Sequence, residues 1–430
     1  MPIGVFFLVF AIILIIATPV AVLFGGMSFL PSLLDPSFPY TIQSAVRSMV
    51  NGLDSFVLLA IPLFMLAGLI MTKGGISDKL FNFIAYFIGN KTAGFPCAVI
   101  GTCMFYAAIS GSSPATVSAV GTMTIPFMMS MGYDKVFSTA IVTVAGGLGV
   151  IIPPSISYIV YASISNTSPS QLFIGGIIPG ILIGLSLMTY AYIHCRRHGE
   201  DKEKLLENYN KIRAIGFWKL FKGSFWGLLS PVIILGSIYG GIASPTEAAA
   251  ISVAYALILC LFVYKTLKIK DLYNVFREGC KTYVAILFII AAAIAFGRVI
   301  TMLQYTEVIS SGVLSLFSSK IATLIVVNII LLLCGMIIDN IPNILILTPI
   351  FLPIVTAVGM DPVHFGIMLT ANLAIGMVTP PMGINIFVAS SMTGLPVFTI
   401  ARATVPFLVA FLIVLVLITF VPELTLYLVR

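Results

Sequence analysis

"LGVIIPPSIS", residues 148–157, lies inside a long apolar stretch and decides how the chain is read. Pro153 and Pro154 each lack a backbone N–H and clash with a continuing α-helix, so the pair breaks any helix that runs through it. At bilayer depth such a break frees carbonyl groups that only protein, an ion or a water-filled cavity can satisfy. A helix broken here is therefore expected to line a site.

The surroundings are those of a membrane. Of the 430 residues 60% are hydrophobic and 9% charged, and the mean hydropathy is +1.14. Soluble domains carry about a quarter charged residues, so a soluble globular domain is excluded. The apolar run from Ile3 to Phe24 has no Lys or Arg ahead of it. It lacks the basic segment of a cleaved signal peptide and is expected to be a retained first membrane segment. The six cysteines are scattered and none form a C-x-x-C pair, so neither a disulfide framework nor a metal-ligand set is expected.

The net charge of +7 reads as topology and not as a nucleic-acid surface. Residues 194–222 hold eight Lys/Arg and residues 265–281 five more, which places both loops in the cytoplasm. The two apolar segments between them return the chain to the same side. With Lys73, Lys79, Lys91, Lys135 and Arg402 also on that side, 18 of the 22 basic residues are cytoplasmic.

The proline break occurs twice. Residues 126–162 set against 353–389, an offset of 227, share ten identities, seven of them Pro, Gly, Asp or Thr. "LGVIIPP" (148–154) answers "IGMVTPP" (375–381), and upstream "ISGSSPAT" (109–116) answers "IIDNIPNI" (337–344) at an offset of 228. Such internal similarity marks a duplicated unit. Each unit reads as a membrane helix (about 54–72, then 283–303), an amphipathic arm (76–90, then 306–319) and two apolar halves. The halves are too short to span separately and meet at a polar tip, which makes a re-entrant hairpin. A broken helix (135–166, then 363–394) and a plain span (172–195, then 403–429) close each unit. The first unit crosses three times and the linker twice, an odd total, so the second unit is inverted. The expected fold class is an all-α polytopic membrane protein of two inverted repeats with elevator-type transporter architecture. Its parts are residues 1–53 as an N-terminal segment and amphipathic helix, 54–195 as repeat 1, 196–282 as basic loops with two linking helices, and 283–430 as repeat 2.

Inverted repeats with discontinuous helices point to a secondary transporter whose site lies near the midplane. Unwinding at Gly149–Pro154 and Gly376–Pro381 exposes carbonyls to a cation, and the half-helices that follow aim their positive ends at an anion. Ser110, Ser112 and Ser113 at one tip, with Asp339 and Asn340 at the other, offer oxygens to sodium. Thr116, Ser155, Asn343 and Asn385, next to the tips and breaks, are candidates for the anion. Arg298 is a further one, since a charge inside a predicted span is a functional candidate, although near a helix end it is also placed to snorkel. His194, His198 and His364 are expected to be interfacial. "SPTE" (244–247) spells a helix start: Ser244 as cap, Pro245 in the first turn and Glu247 closing a capping box.

The motifs "SGSSPATVSAVG" (110–121), "GGLGVIIPPSI" (146–156), "ASPTEAAAISVAYAL" (243–257) and the run 361–390 closely resemble the large membrane subunit of TRAP transporters, the DctM-like family. The resemblance covers essentially the whole chain. It implies a sodium-driven importer of organic acids in a bacterial inner membrane, without a cofactor, working with a small four-helix membrane subunit and a periplasmic substrate-binding protein. It places one sodium region at Ser110–Ser113 with Gly149, Ile152 and Pro153, and a second near Asp339–Pro342 with Gly376, Thr379 and Pro380. A stand-alone sodium–dicarboxylate carrier has the same architecture and remains the rival reading. An intramembrane hydrolase does not fit, because no histidine motif accompanies "SGSSP" to activate a serine.

Overall fold

A computed structural model describes residues 3–16, 18–316 and 319–430. In chain order the helices are α1 (Ile3–Ile15), α2 (Val20–Leu34), α3 (Ile42–Leu53), α4 (Ala60–Lys73), α5 (Ile76–Ile88), α6 (Gly94–Ser110) and α7 (Ser113–Ser130). Then come α8 (Lys135–Ala145), α9 (Ile156–Ser165), α10 (Pro169–His198), α11 (Lys202–Ala214), α12 (Phe217–Tyr239), α13 (Pro245–Ile258) and α14 (Ile269–Met302). The chain closes with α15 (Tyr305–Leu316), α16 (Lys320–Ile337), α17 (Asn340–Ala357), α18 (Pro362–Gly376), α19 (Ile384–Thr393), α20 (Val397–Phe420) and α21 (Glu423–Leu426). Seven of the described helices are long and apolar enough to cross a membrane, and α3 with α4 forms an eighth candidate bent by 65°. The chain is a multi-pass membrane protein.

Three expectations are revised. The single span expected from Ile3 to Phe24 is two helices, α1 and α2, because Pro19 caps the second and cannot continue the first. Residue 17, between them, lies outside the described residues, as do 317 and 318 of the second arm. The basic stretch 265–281 is a loop only as far as Lys268: α14 starts at Ile269, where the Lys268 N–H donates to Asp271 at 2.9 Å, and runs 34 residues into the membrane. The 194–222 loop contains α11, capped by Asp201, whose carboxyl is held below its ordinary range by the backbone N–H of Lys204.

The hairpins are α6 with α7 and α16 with α17. The latter two have 18 residues each, longer than expected and sufficient by length to span. They do not need to, because each tip meets a broken helix at its midpoint. Ile156 N donates to Gly111 O at 3.3 Å, and Met382 N to Met336 O at 3.0 Å. A tip bonded halfway along a spanning pair of half-helices stops halfway across. The broken helices, α8 with α9 and α18 with α19, run antiparallel. Tyr161, in the last half of the first, donates to Pro362 O at the start of the second at 2.6 Å. Inversion of the repeats is thus built into the contacts.

The base of the first hairpin is moored by one side chain. The Glu200 carboxylate, just past α10, accepts from Ala93 N at 3.1 Å and from the Tyr133 hydroxyl at 2.5 Å, so it ties the entry and exit of the hairpin to the end of α10. Burial and that carboxylate push the Tyr133 phenol up, which keeps it a neutral donor. The "SPTE" capping box forms as expected: Ser244 N donates to Glu247 at 2.7 Å, and Glu247 N to Ser244 Oγ at 3.3 Å. Thr246 then bonds Phe56 O at 2.9 Å, so the start of α13 is fixed beside the start of α4, along which α13 packs.

Candidate ion and anion site at the hairpin tips

The two tips and two breaks converge. At the first tip Gly111 takes a left-handed turn, φ +60°, a conformation glycine adopts without strain. Thr116 Oγ1 lies 3.0 Å from Ser110 Oγ and donates to Ser112 O at 2.8 Å, tying the tip across its first turn. Ser113, the first residue of α7, accepts from Asn385 Nδ2 at 2.7 Å, and the same amide reaches Thr143 O at 3.2 Å. At the second tip Asn340, the first residue of α17, donates to Ser157 Oγ at 2.8 Å, and Asn343 donates to Ile338 O at 2.7 Å. The two cross-links are one motif. Ser113 and Asn340 open equivalent helices, while Ser157 and Asn385 are each the second residue of a half-helix. The structural register at the tip is therefore 227, one less than the offset that aligns Pro114 with Pro342.

The breaks are close-packed against the tips. A β-carbon on Gly149 would lie 2.5 Å from Ser112 O and 2.7 Å from Thr116 Oγ1, and one on Gly376 would lie 2.4 Å from the Gly335 carbonyl carbon. Only glycine permits such approach. Pro153–Pro154 and Pro380–Pro381 are both cis, so the breaks match in backbone form. Ser155 Oγ donates to Val150 O at 2.5 Å and Thr379 Oγ1 to Ile375 O at 2.7 Å.

A cavity of about 870 Å³ extends from these tips between α4, α5 and α14. Ser110, Ser112, Asp339 and Asn340 line it. Ser113, Thr116, Ser155, Asn343, Asn385, Gly149, Pro153 and Gly376 are buried behind the lining. Ile152 packs towards Gly180 on α10, and Thr379 and Pro380 are half-buried. Arg298 is not brought to the cavity: it is exposed on α14, twelve residues (298 − 286) beyond Ile286, the last residue of that helix in the lining, or about 18 Å along the helix. Sequence reasoning missed Ser157, the partner of Asn340, and Ser118 and Thr122, which line the cavity on α7. Their signal was the spacing of four from Pro114, which puts all three on one helix face.

The donor set suits a cation. The buried Asn340 Oδ1 and Asn343 Oδ1 receive no hydrogen bond from the described residues, although both amides spend their N–H groups. Buried acceptors left without donors are places where an ion or an ordered water completes the bonding. The remaining feature is the order of these elements along the chain. A family model of the tripartite ATP-independent periplasmic transporter, DctM component, matches residues 4–424.

The chain belongs to the DctM family. Among its relatives, the isethionate TRAP transporter permease protein DctMQ of Oleidesulfovibrio alaskensis is 41% identical over 99% of this chain and 66% of that one. This chain thus spans about two thirds of that relative's length. The C4-dicarboxylate TRAP transporter large permease protein DctM of Pseudomonas aeruginosa is 40% identical over 90% of each chain. The crystal structure of the Alcanivorax borkumensis YdaH transporter, described as having an unusual topology, superposes with a TM-score of 0.60 over 86% of each chain at 14% identity, a likeness of fold. The DctM family is one of transporter permeases, and the chain is a multi-pass protein of the inner membrane.

Proposed function

We propose that this DctM-family permease is the large subunit of a sodium-driven importer of small organic acids, which receives its substrate from a periplasmic binding protein and works with a small membrane subunit. The observation that carries the reading is the pair of reciprocal cross-links, Ser113 to Asn385 and Asn340 to Ser157, set beside acceptors without donors at the tip. One relative carries a sulfonate in its name and another a C4-dicarboxylate. Both are compact anions rich in oxygen, the class that the N-terminal ends of α7, α9 and α17 attract.

Coupling follows from charge. An anion entering beside Asp339 is repelled until a cation neutralises the carboxylate, so sodium and substrate favour each other's binding. One sodium rests at Ser110, Ser112 and Ser113 with the carbonyls near Gly149, Ile152 and Pro153. The other rests at Asp339 and Asn340 with Gly376, Thr379 and Pro380. Thr116, Ser155, Asn343 and Asn385 hold these groups in place by the bonds described. The cross-linked hairpins and broken helices then move as one unit against α4, α13 and α14, which is elevator-type alternating access.

The test is uptake of succinate, isethionate and sialic acid by vesicles under an inward sodium gradient. Uptake by the chain together with its small subunit and loaded binding protein, and only with sodium, is the expected result. Full-rate uptake by the chain alone would instead mark a stand-alone symporter, and uptake indifferent to sodium would overturn the coupling.

A further inference from the structure

The cavity that begins at the tips ends at an ion pair. Lys73 Nζ, at the last residue of α4, lies 3.3 Å from Glu278 Oε2 on α14, and both residues line the cavity. Lys73 is the one cationic side chain among the described residues of that lining, against three carboxylates: Asp78, Glu278 and Asp339. An anion leaving the tips towards the basic, cytoplasmic side therefore moves between negative groups and meets a single positive one.

The route is short. A β-carbon on Gly68 of α4 would lie 3.0 Å from Ser110 Cα at the tip, and Lys73 is five residues further along, about 7.5 Å down the helix axis. Thr72, its neighbour, bonds Tyr106 of the first hairpin, so this turn of α4 is held against the hairpin. The pair is also easy to exchange. Its side chains are 48% and 53% exposed, and ion pairs at such positions are worth little, so an incoming anion displaces Glu278 at small cost.

We infer that Lys73 is a transit contact for the substrate's anionic group on the cytoplasmic side, with Glu278 as the internal counterion that the substrate displaces on leaving and that reclaims the ammonium afterwards. This rests on the organic-anion reading above. It adds a specificity-determining residue outside both hairpin tips.

The test separates the two faces of the membrane. The assembled transporter, with small subunit and binding protein, is placed in vesicles, and the half-saturating concentration of succinate, isethionate or sialic acid is measured for uptake and, separately, for efflux at saturating sodium. Lys73→Met should raise the efflux value about fivefold and leave the uptake value in place. Lys73→Arg should restore it, and Glu278→Gln should lower it by freeing the ammonium. Equal shifts on both faces, failure of Arg to rescue, or an unchanged efflux value in Lys73→Met and Glu278→Gln would overturn the inference. Should Lys73→Met fail to insert, Glu278→Gln alone decides, since it retains the cation. A wild-type protein that moves none of the three anions removes the organic-anion reading itself and this inference with it, an outcome no variant can mimic.

Discussion

Asn385 reaches across 272 positions of sequence to donate to Ser113 at 2.7 Å. Its pseudo-symmetric counterpart, Asn340 to Ser157 at 2.8 Å, spans 183. Each bond ties the tip of one repeat to the broken helix of the other, so neither tip is positioned by its own repeat alone.

Replacing either tip residue should therefore be felt at the sodium step. Ser113→Leu and Asn340→Leu are expected to insert normally and to lose sodium-dependent uptake. Asn385→Ala and Ser157→Ala should each raise the sodium requirement, since one buried hydrogen bond is worth about 1 kcal/mol, or roughly fivefold. In a double-mutant cycle the Ser113→Ala and Asn385→Ala effects should be non-additive by about that amount. Sodium titration of transport in vesicles reads all of these, and additive effects would separate the pair.

The glycines at the breaks should tolerate no side chain. Gly149→Ala and Gly376→Ala each force a carbon into backbone atoms at 2.5 Å or less. Overpacking of this kind costs about 1–3 kcal/mol. Gly297→Ala is the control, because that position on α14 has no atom within 4 Å of the added carbon. Thermal unfolding in detergent should show loss for the first two and none for the third.

The same residues mark how far the amino-acid sequence is legible on its own. The double prolines, each with a glycine shortly ahead of it, announce the breaks, because helix rules read them locally. The partner of each tip is not legible in this way. Ser157 and Asn385 lie in stretches the sequence singles out, but their pairing with the tips arises only when two repeats fold antiparallel against one another. The two-helix start ahead of residue 35 escapes for a related reason: a hydropathy run does not register that Pro19 ends one helix and begins the next.

Glu247 is expected to act on stability. Its carboxylate closes the cap of α13 with Ser244, and its loss leaves the Ser244 backbone N–H without that acceptor. Glu247→Ala should lower the melting temperature and leave the half-saturating substrate concentration as it was. A variant of normal stability with altered substrate dependence would assign it a transport role instead.

Arg298→Lys should transport like the wild type, since Arg298 is exposed and lies outside the cavity. A weakened Lys variant, measured in the fully assembled system, would mean that a planar two-pronged contact is made there by another chain or a lipid phosphate.

The crossed Ser–Asn bonds carry a consequence for what the site can distinguish. In a twofold dimer, residue i of one subunit touches j of the other while j touches i. This chain is such a dimer with its subunits fused, and fusion has let the halves diverge: hydroxyls dominate one side of the pseudo-axis, a carboxylate and amides the other. A ligand seated on the axis of a true dimer has two equivalent poses. Here the two seats differ in chemistry, so the two poses of a ligand placed on the pseudo-axis are not equivalent.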